Sequence, residues 1–132
     1  MDLENENRIT QEIIGAAIEV HRELGGPGLL ESVYEEALIY ELSLRGLQVG
    51  RQLSVPLTYK NKQLQNALRL DLLVENTVLV ELKSVNELNP IVQSQVLTYI
   101  RLLNLKLGIV LNFGQPKLVD GVSRVINNAF KF

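Results

Sequence analysis

The chain holds 132 residues, 46% of them hydrophobic and 21% charged, with no cysteine, one histidine and a formal net charge of −2. This composition fits one globular domain, 1–132, and excludes a disulfide framework, a cysteine nucleophile and a multi-histidine metal site within one chain. No apolar run approaches the ~20 residues of a membrane span, and the acidic start Met1–Glu6 is unlike a secretory signal, so a cytoplasmic protein with no membrane partner is expected.

In chain order, Thr10 is expected to cap a first helix, in which Ile13, Ile14, Ala17, Ile18, His21 and Leu24 recur at helical spacing. Gly25-Gly26-Pro27-Gly28 stops it. A second helix is predicted from about Leu29 to Arg45, burying Tyr34, Ala37, Leu38 and Leu42, with Gly46 ending it. Alternation of Leu53, Val55, Leu57 and Tyr59 with polar residues predicts a strand, and Pro56 marks it as an edge. Asn61-Lys62 reads as a turn. Leu68, Leu70, Leu72 and Val74 predict a second strand, Glu75-Asn76-Thr77 a turn, and Val78–Lys83 a third strand. Asn89-Pro90 opens a helix reaching about Asn104. Leu107–Leu111 is a continuous apolar strand, expected in the middle of the sheet. Asp120 is expected to cap a last helix with Val122, Val125, Ile126, Ala129 and Phe130 inside. The order α-α-β-β-β-α-β-α describes a mixed α/β fold with helices on the faces of one sheet.

Asp71, Glu81 and Lys83 interrupt β-forming runs with charge, which is costly where a strand is buried. Glu81 and Lys83 are two apart and share a face. A two-residue loop at 75–76 sets Asp71 opposite Val80. A three-residue loop at 75–77 pairs Val74 with Val78 and sets Asp71 opposite Glu81, about 5 Å apart at Cβ. Asn76 suits the left-handed residue such loops often need, so the second register, or a bulge with the same effect, is expected. The two acids are then reconciled in one of three ways. One of them is protonated, Lys83 neutralises the pair, or Mg²⁺ or Mn²⁺ sits between them as a hard cation on oxygen ligands.

Other polar residues have plainer readings. Glu31 in the first turn of the second helix complements the helix dipole. Glu35 is a solvated partner or supports its neighbours. Gln95 and Tyr99, four apart, edge an amphipathic helix. His21 is a hydrogen-bonded core histidine, and Asn112 satisfies backbone at a strand end. The acidic balance disfavours nucleic-acid binding, although Arg45, Arg51, Lys60, Lys62 and Arg69 could form a basic patch as readily as ordinary solvated charges.

The segments Gly28-Leu29-Leu30-Glu31-Ser32-Val33-Tyr34, Arg69-Leu70-Asp71, Val80-Glu81-Leu82-Lys83-Ser84, Gln95-Val96-Leu97-Thr98-Tyr99 and Leu111-Asn112-Phe113-Gly114 together resemble the GxxExxY proteins. The resemblance runs in order over nearly the whole chain from about residue 10. That family is similar to the PD-(D/E)XK nuclease-like superfamily, with a restriction-endonuclease-like core α-β-β-β-α-β. Here the core would carry an extra helix at each end. The resemblance implies that Asp71, Glu81 and the carbonyl of Leu82 hold Mg²⁺ or Mn²⁺. Glu31 would reach the metal directly or through water, and Lys83 would complete the E-x-K pair. Gln95 and Tyr99 would support the site or contact substrate. It implies a metal-dependent nuclease acting on nucleic acid. The alternative is a catalytically silent nuclease-like fold that binds nucleic acid or protein, as a homodimer or with a partner. A small-molecule enzyme has no support, since the chain lacks a phosphate-binding glycine loop and a Ser–His–acid set.

Overall fold

A computed structural model describes residues 1–132. Three helices, α1 (Glu4–Glu23), α2 (Glu31–Leu44) and α3 (Ile91–Leu102), flank five strands: β1 (Val49–Tyr59), β2 (Lys62–Val74), β3 (Val78–Lys83), β4 (Leu107–Asn112) and β5 (Val122–Ile126). They form one sheet in the order β1-β2-β3-β4-β5, antiparallel except for the β3–β4 pair. A parallel pair needs a long crossover, and α3 supplies it. No helix is long and apolar enough to cross a membrane.

The sheet separates two cores. On one face, Ile9, Ile13, Ala17 and Val20 of α1 and Tyr34, Leu38 and Leu42 of α2 pack on Val78, Val80, Leu82, Ile109 and Leu111. On the other, Val92, Val96 and Ile100 of α3 pack on Leu79 and Val110. Strand alternation sorts β3 as expected, with Leu79 on the α3 side and Val80 and Leu82 on the α1–α2 side. β4 is buried along its length between β3 and β5, and β1 is an edge strand, as Pro56 indicated.

Two expectations at the ends of the chain are corrected. α1 begins at Glu4, ahead of Thr10. Asp2 Oδ1 accepts the Glu4 N–H at 2.8 Å, while Thr10 is buried with its hydroxyl donating to the Glu6 carbonyl at 2.7 Å. The expected C-terminal helix is a short 3₁₀ turn, Leu118–Gly121, followed by β5. Val122 and Val125 would share a helix face, yet they pack into opposite cores. Pairing with the exposed edge of β4 satisfies backbone groups that a helix would leave unpaired. Gly121 permits the approach, because a Cβ there would lie 2.2 Å from the Asn112 carbonyl oxygen.

The β1–β2 ribbon departs from regular alternation. Leu70 and Leu72 are two apart, so in an even strand they share a face. Instead, Leu72 and Val74 belong to the α1–α2 core and Leu68 and Leu70 to the α3 core. The partner strand changes sides at the same level, with Val49 against the first core and Leu53, Val55 and Leu57 against the second. Register is unbroken across this level, Arg51↔Leu72 and Leu53↔Leu70. No residue has been inserted, and the ribbon is creased. Between these pairs sit Gln52, at the left-handed φ of 48°, and Asp71.

Candidate active site

Asp71 occupies the crease, and its neighbours follow from the hairpin that joins β2 to β3. Glu75 and Asn76 both have left-handed φ, 53° and 52°, and the Thr77 N–H donates to the Val74 carbonyl at 2.9 Å. Thr77 is then the extra residue, and Val74 pairs with Val78. This is the expected register. The backbone ladder runs only from Val74↔Val78 to Leu72↔Val80. Beyond it the Asp71 carboxylate accepts the Leu82 N–H at 2.9 Å. A side chain thus continues the pairing where the main chains part.

Glu81 lies beside Asp71 and is buried, with 8% of its surface exposed. Burial, the charge of Asp71 and a hydrogen bond with Asp71 push the Glu81 carboxyl up to about 8. Lys83, half-buried, opposes that rise with its Nζ 3.9 Å from Glu81 Oε1. Burial and the adjacent carboxylate thus favour a proton on the pair. Glu31, the first residue of α2, feels the same cluster. Burial raises its pKa, Lys83 lowers it, and Asp71 and Glu35 raise it further. The structure thus brings Asp71, Glu81, Lys83 and Glu31 within electrostatic reach of one another. No three His, Asp or Glu side chains gather at metal-ligand spacing. Asp71 and Glu81 are a pair, and Glu31 is their neighbour.

The loop before α2 fixes Glu31. Gly28 has a φ of 110°, where glycine alone is unstrained. The buried Tyr34 hydroxyl donates to the Gly26 carbonyl at 2.6 Å and accepts the Leu29 N–H at 3.2 Å. Its ring stacks on Phe113 at 4.5 Å. Ser84, next after Lys83, donates to the Leu29 carbonyl at 2.8 Å. The loop that leads into Glu31 is therefore held at Gly26 and Leu29 by Tyr34 and Ser84.

Glu35 is a correction to the solvated reading. It is 6% exposed, accepts from Arg51 Nε at 3.0 Å and takes the Gln52 amide on both oxygens at 3.1 Å. Gln52 accepts in turn from Arg69 Nε at 3.3 Å. This network ties α2 to the crease beside Asp71, and sequence reasoning missed Arg51 and Gln52 as its members. Gln95 donates to the Tyr99 hydroxyl at 3.1 Å on α3, and neither hydrogen-bonds to the acids. His21 is buried with Nε2 3.0 Å from the Gln115 carbonyl, and Asn112 pairs with both backbone groups of Val85. Both are structural residues, as expected. Arg45 spans α1 and α2 through Glu12 and Glu41, which withdraws it from any basic patch.

The larger hollows lie elsewhere. One of about 560 Å³ is lined by His21, Arg22, Lys117 and Leu118 among others, one of about 540 Å³ by Asp2, Glu4, Asn5 and Arg8, and one of about 470 Å³ by Gly28, Ser84, Asn86 and Gln115 among others. None of these is lined by Asp71, Glu81 or Lys83.

A comparison with curated proteins and one with solved structures return no match. The family model described as PD-(D/E)XK nuclease superfamily matches residues 7–125. That span contains both strands of the acid–acid–lysine set, the helix carrying Glu31 and the crossover helix, so this chain belongs to the PD-(D/E)XK nuclease superfamily.

Proposed function

We propose that the protein is a metal-dependent nuclease that hydrolyses phosphodiester bonds in nucleic acid. The observation that carries this reading is the convergence of Asp71, Glu81 and Lys83, with Asp71 bound to the main chain inside the Glu81-Leu82-Lys83 segment. The donor set suits a hard divalent cation, Mg²⁺ or Mn²⁺, since two carboxylates and a carbonyl offer only oxygen. Three acids face one lysine. Burial first, and then the neighbouring carboxylates, raise Glu81 and Glu31, and a dication would offset both effects.

In this reading Asp71, Glu81 and the Leu82 carbonyl hold the cation, and Glu31 acts through a water because it stands outside the carboxylate pair. A cation held there would polarise the phosphate and lower the pKa of a bound water. Lys83 would orient the attacking water and offset charge developing on phosphorus. Glu35 holds Gln52, and with it the crease. Gln95 and Tyr99 border the substrate. Within the superfamily we assign the chain to the GxxExxY group, on the spacing of Gly28, Glu31 and Tyr34 in the sequence, and we place it in the cytoplasm, where a cysteine-free domain needs no oxidising environment.

The test is cleavage of labelled single- and double-stranded DNA and RNA with Mg²⁺ or Mn²⁺. Lys83→Ala is expected to lower the rate by about 10²–10³ while leaving the fold intact. Equal rates for wild type and variant would remove this assignment.

One observation favours a second reading, a nuclease-like fold that docks a protein. Leu30 at the start of α2 and Val33, Tyr40 and Leu44 along it are 74%, 39%, 66% and 63% exposed. A helix with an apolar stripe on the side away from its core is ordinarily covered. A second copy of the chain can meet this stripe about a twofold axis. Sedimentation equilibrium would show a dimer that Tyr40→Glu dissociates. A monomer at all concentrations would dismiss the dimer.

A further inference from the structure

The outer half of the β1–β2 hairpin differs in charge from the rest of the molecule. Residues 49–70 hold four of the thirteen Lys and Arg residues and none of the fifteen Asp and Glu. Residues 49–70 therefore carry +4, while the remainder of the chain, Asp71 included, carries −6. Arg51 is paired with Glu35, but Lys60, Lys62 and Arg69 enter no ion pair.

The tip is shaped to present these cations. Lys60 and Asn61 have left-handed φ, 48° and 68°, and Tyr59 pairs with Lys62 across the turn. The turn thus lies one residue earlier than the sequence suggested. Tyr59 is 60% exposed, with Lys60 Nζ 5.4 Å from its ring centre. The register slips between Pro56↔Ala67 and Thr58↔Gln63, which sets one strand residue against three and increases the twist. Arg69 lies two residues before Asp71 on β2, and Lys62 nine residues before it. At ~3.3 Å per residue, those separations are about 7 and 30 Å. The second is close to the rise of nine base pairs at ~3.4 Å each.

We propose that this hairpin grips the phosphodiester backbone of nucleic acid through Lys60, Lys62 and Arg69, and so holds the strand across the acids at its base. The proposal rests on nucleic acid being the substrate, but not on the hydrolytic step. It explains how an acidic protein meets a polyanion, with attraction concentrated on one arm and repulsion spread over the rest. The competing use of edge lysines is to block pairing of β1 with other chains.

The experiment measures binding of the full chain to a fluorescent 20-nucleotide single strand and a 20-base-pair duplex in EDTA, over a range of NaCl. Lys60→Ala/Lys62→Ala is compared with Lys117→Ala/Lys131→Ala, which loses the same charge elsewhere. For the duplex, the hairpin variant is expected to lower the slope of log K against log salt by about 2 and the affinity by about tenfold at low salt. The control is expected to keep the wild-type slope. Equal slopes for the two variants, or aggregation of the hairpin variant with an unchanged slope, would overturn the proposal, as would no binding by wild type. Lys83→Ala separates the two readings. Loss of cleavage without loss of binding upholds the site, and loss of binding in the hairpin variant alone upholds the grip. Wild type that binds through the hairpin but never cleaves would retain the grip and remove the nuclease.

Discussion

The β1–β2 ribbon is two structures in one. Inward of Gln52 and Asp71 it belongs to the sheet, with Leu72 and Val74 fully buried under α1 and α2. Outward it turns its apolar side to α3, and by Leu64 it has left the core. The inner half answers to packing and the outer half to solvent, so the same substitution should have different costs in each. The crease between them is where a polar side chain leaves the ladder without being lost to the core or to bulk water. Asp71 stands there, and Glu81 and Lys83 meet it from the strand alongside.

The largest effect on stability is expected from Leu72→Ala, which opens a cavity in a close-packed layer and should cost about 2–5 kcal/mol. Leu64→Ala on the exposed half should stay within ~0.5 kcal/mol. Urea denaturation of both variants checks the contrast, and similar costs would mean the outer half is packed after all. Next comes the tie between α2 and the crease. Arg51→Met leaves the buried Glu35 carboxylate with only the Gln52 amide, and a loss of about 1–3 kcal/mol is expected. Arg51 is itself 53% exposed, so its own charge returns to water easily. A loss under ~0.5 kcal/mol would show that Glu35 finds other partners.

The acid pair predicts a pH dependence of definite sign. Glu81 has its folded pKa raised to about 8, above the value of an unfolded chain. The native state then binds the proton more tightly. Its contribution is complete in acid and is lost as pH rises from about 4.5 through 8. Metal-free wild type should lose stability over that window, and Glu81→Gln should lose less. Glu31, raised in the same direction, keeps a smaller slope in the variant. Urea midpoints at pH 6, 7 and 8 in EDTA make the check. Stability that rises with pH in wild type would contradict the protonated pair. With Mn²⁺ present the sign should reverse, because a bound cation expels the proton.

Much of this arrangement was legible in the chain, and the gaps have physical causes. The β2–β3 register followed from counting residues between Val74 and Val78 with a left-handed residue at Asn76. Local turn geometry decides that pairing, and local signals are in the sequence. The crease was not legible, because Leu68, Leu70, Leu72 and Val74 alternate without a break and alternation predicts one face. The side that each leucine meets is set by α3 and α2, which are remote in sequence. β5 was misread for the same reason. Val122, Val125 and Ile126 fit a helical stripe, and only the open edge of β4 decides for a strand. Glu31 by itself read as a helix-dipole acid. Its burial beside Asp71 and Lys83 depends on the Gly25–Leu30 loop being tied down by Tyr34 and Ser84. For Glu35 the choice between a solvated partner and a support for its neighbours stayed open, because Arg51 and Gln52 come from a separate strand.

The smallest expected effect bears on the crease itself. Gln52 holds a left-handed φ of 48°, which costs a residue with a Cβ about 1–2 kcal/mol. Gln52→Gly removes that strain but adds unfolded-state entropy of roughly 0.5–1 kcal/mol, and it deletes the amide that Glu35 and Arg69 use. The terms oppose, so a net change within ~1 kcal/mol is expected. Gln52→Val lacks the amide as well and keeps the steric cost, which β-branching increases. It should therefore be less stable than Gln52→Gly, and it should also weaken Mn²⁺ binding if the strained backbone helps to aim Asp71. The comparison isolates backbone from side chain, since both variants lose the same hydrogen bonds and differ in their tolerance of positive φ. Equal stabilities would mean that the ribbon can flatten at this level. Leu70 and Leu72 would then be free to return to one face, and Asp71 would lose the bend that turns it toward Leu82.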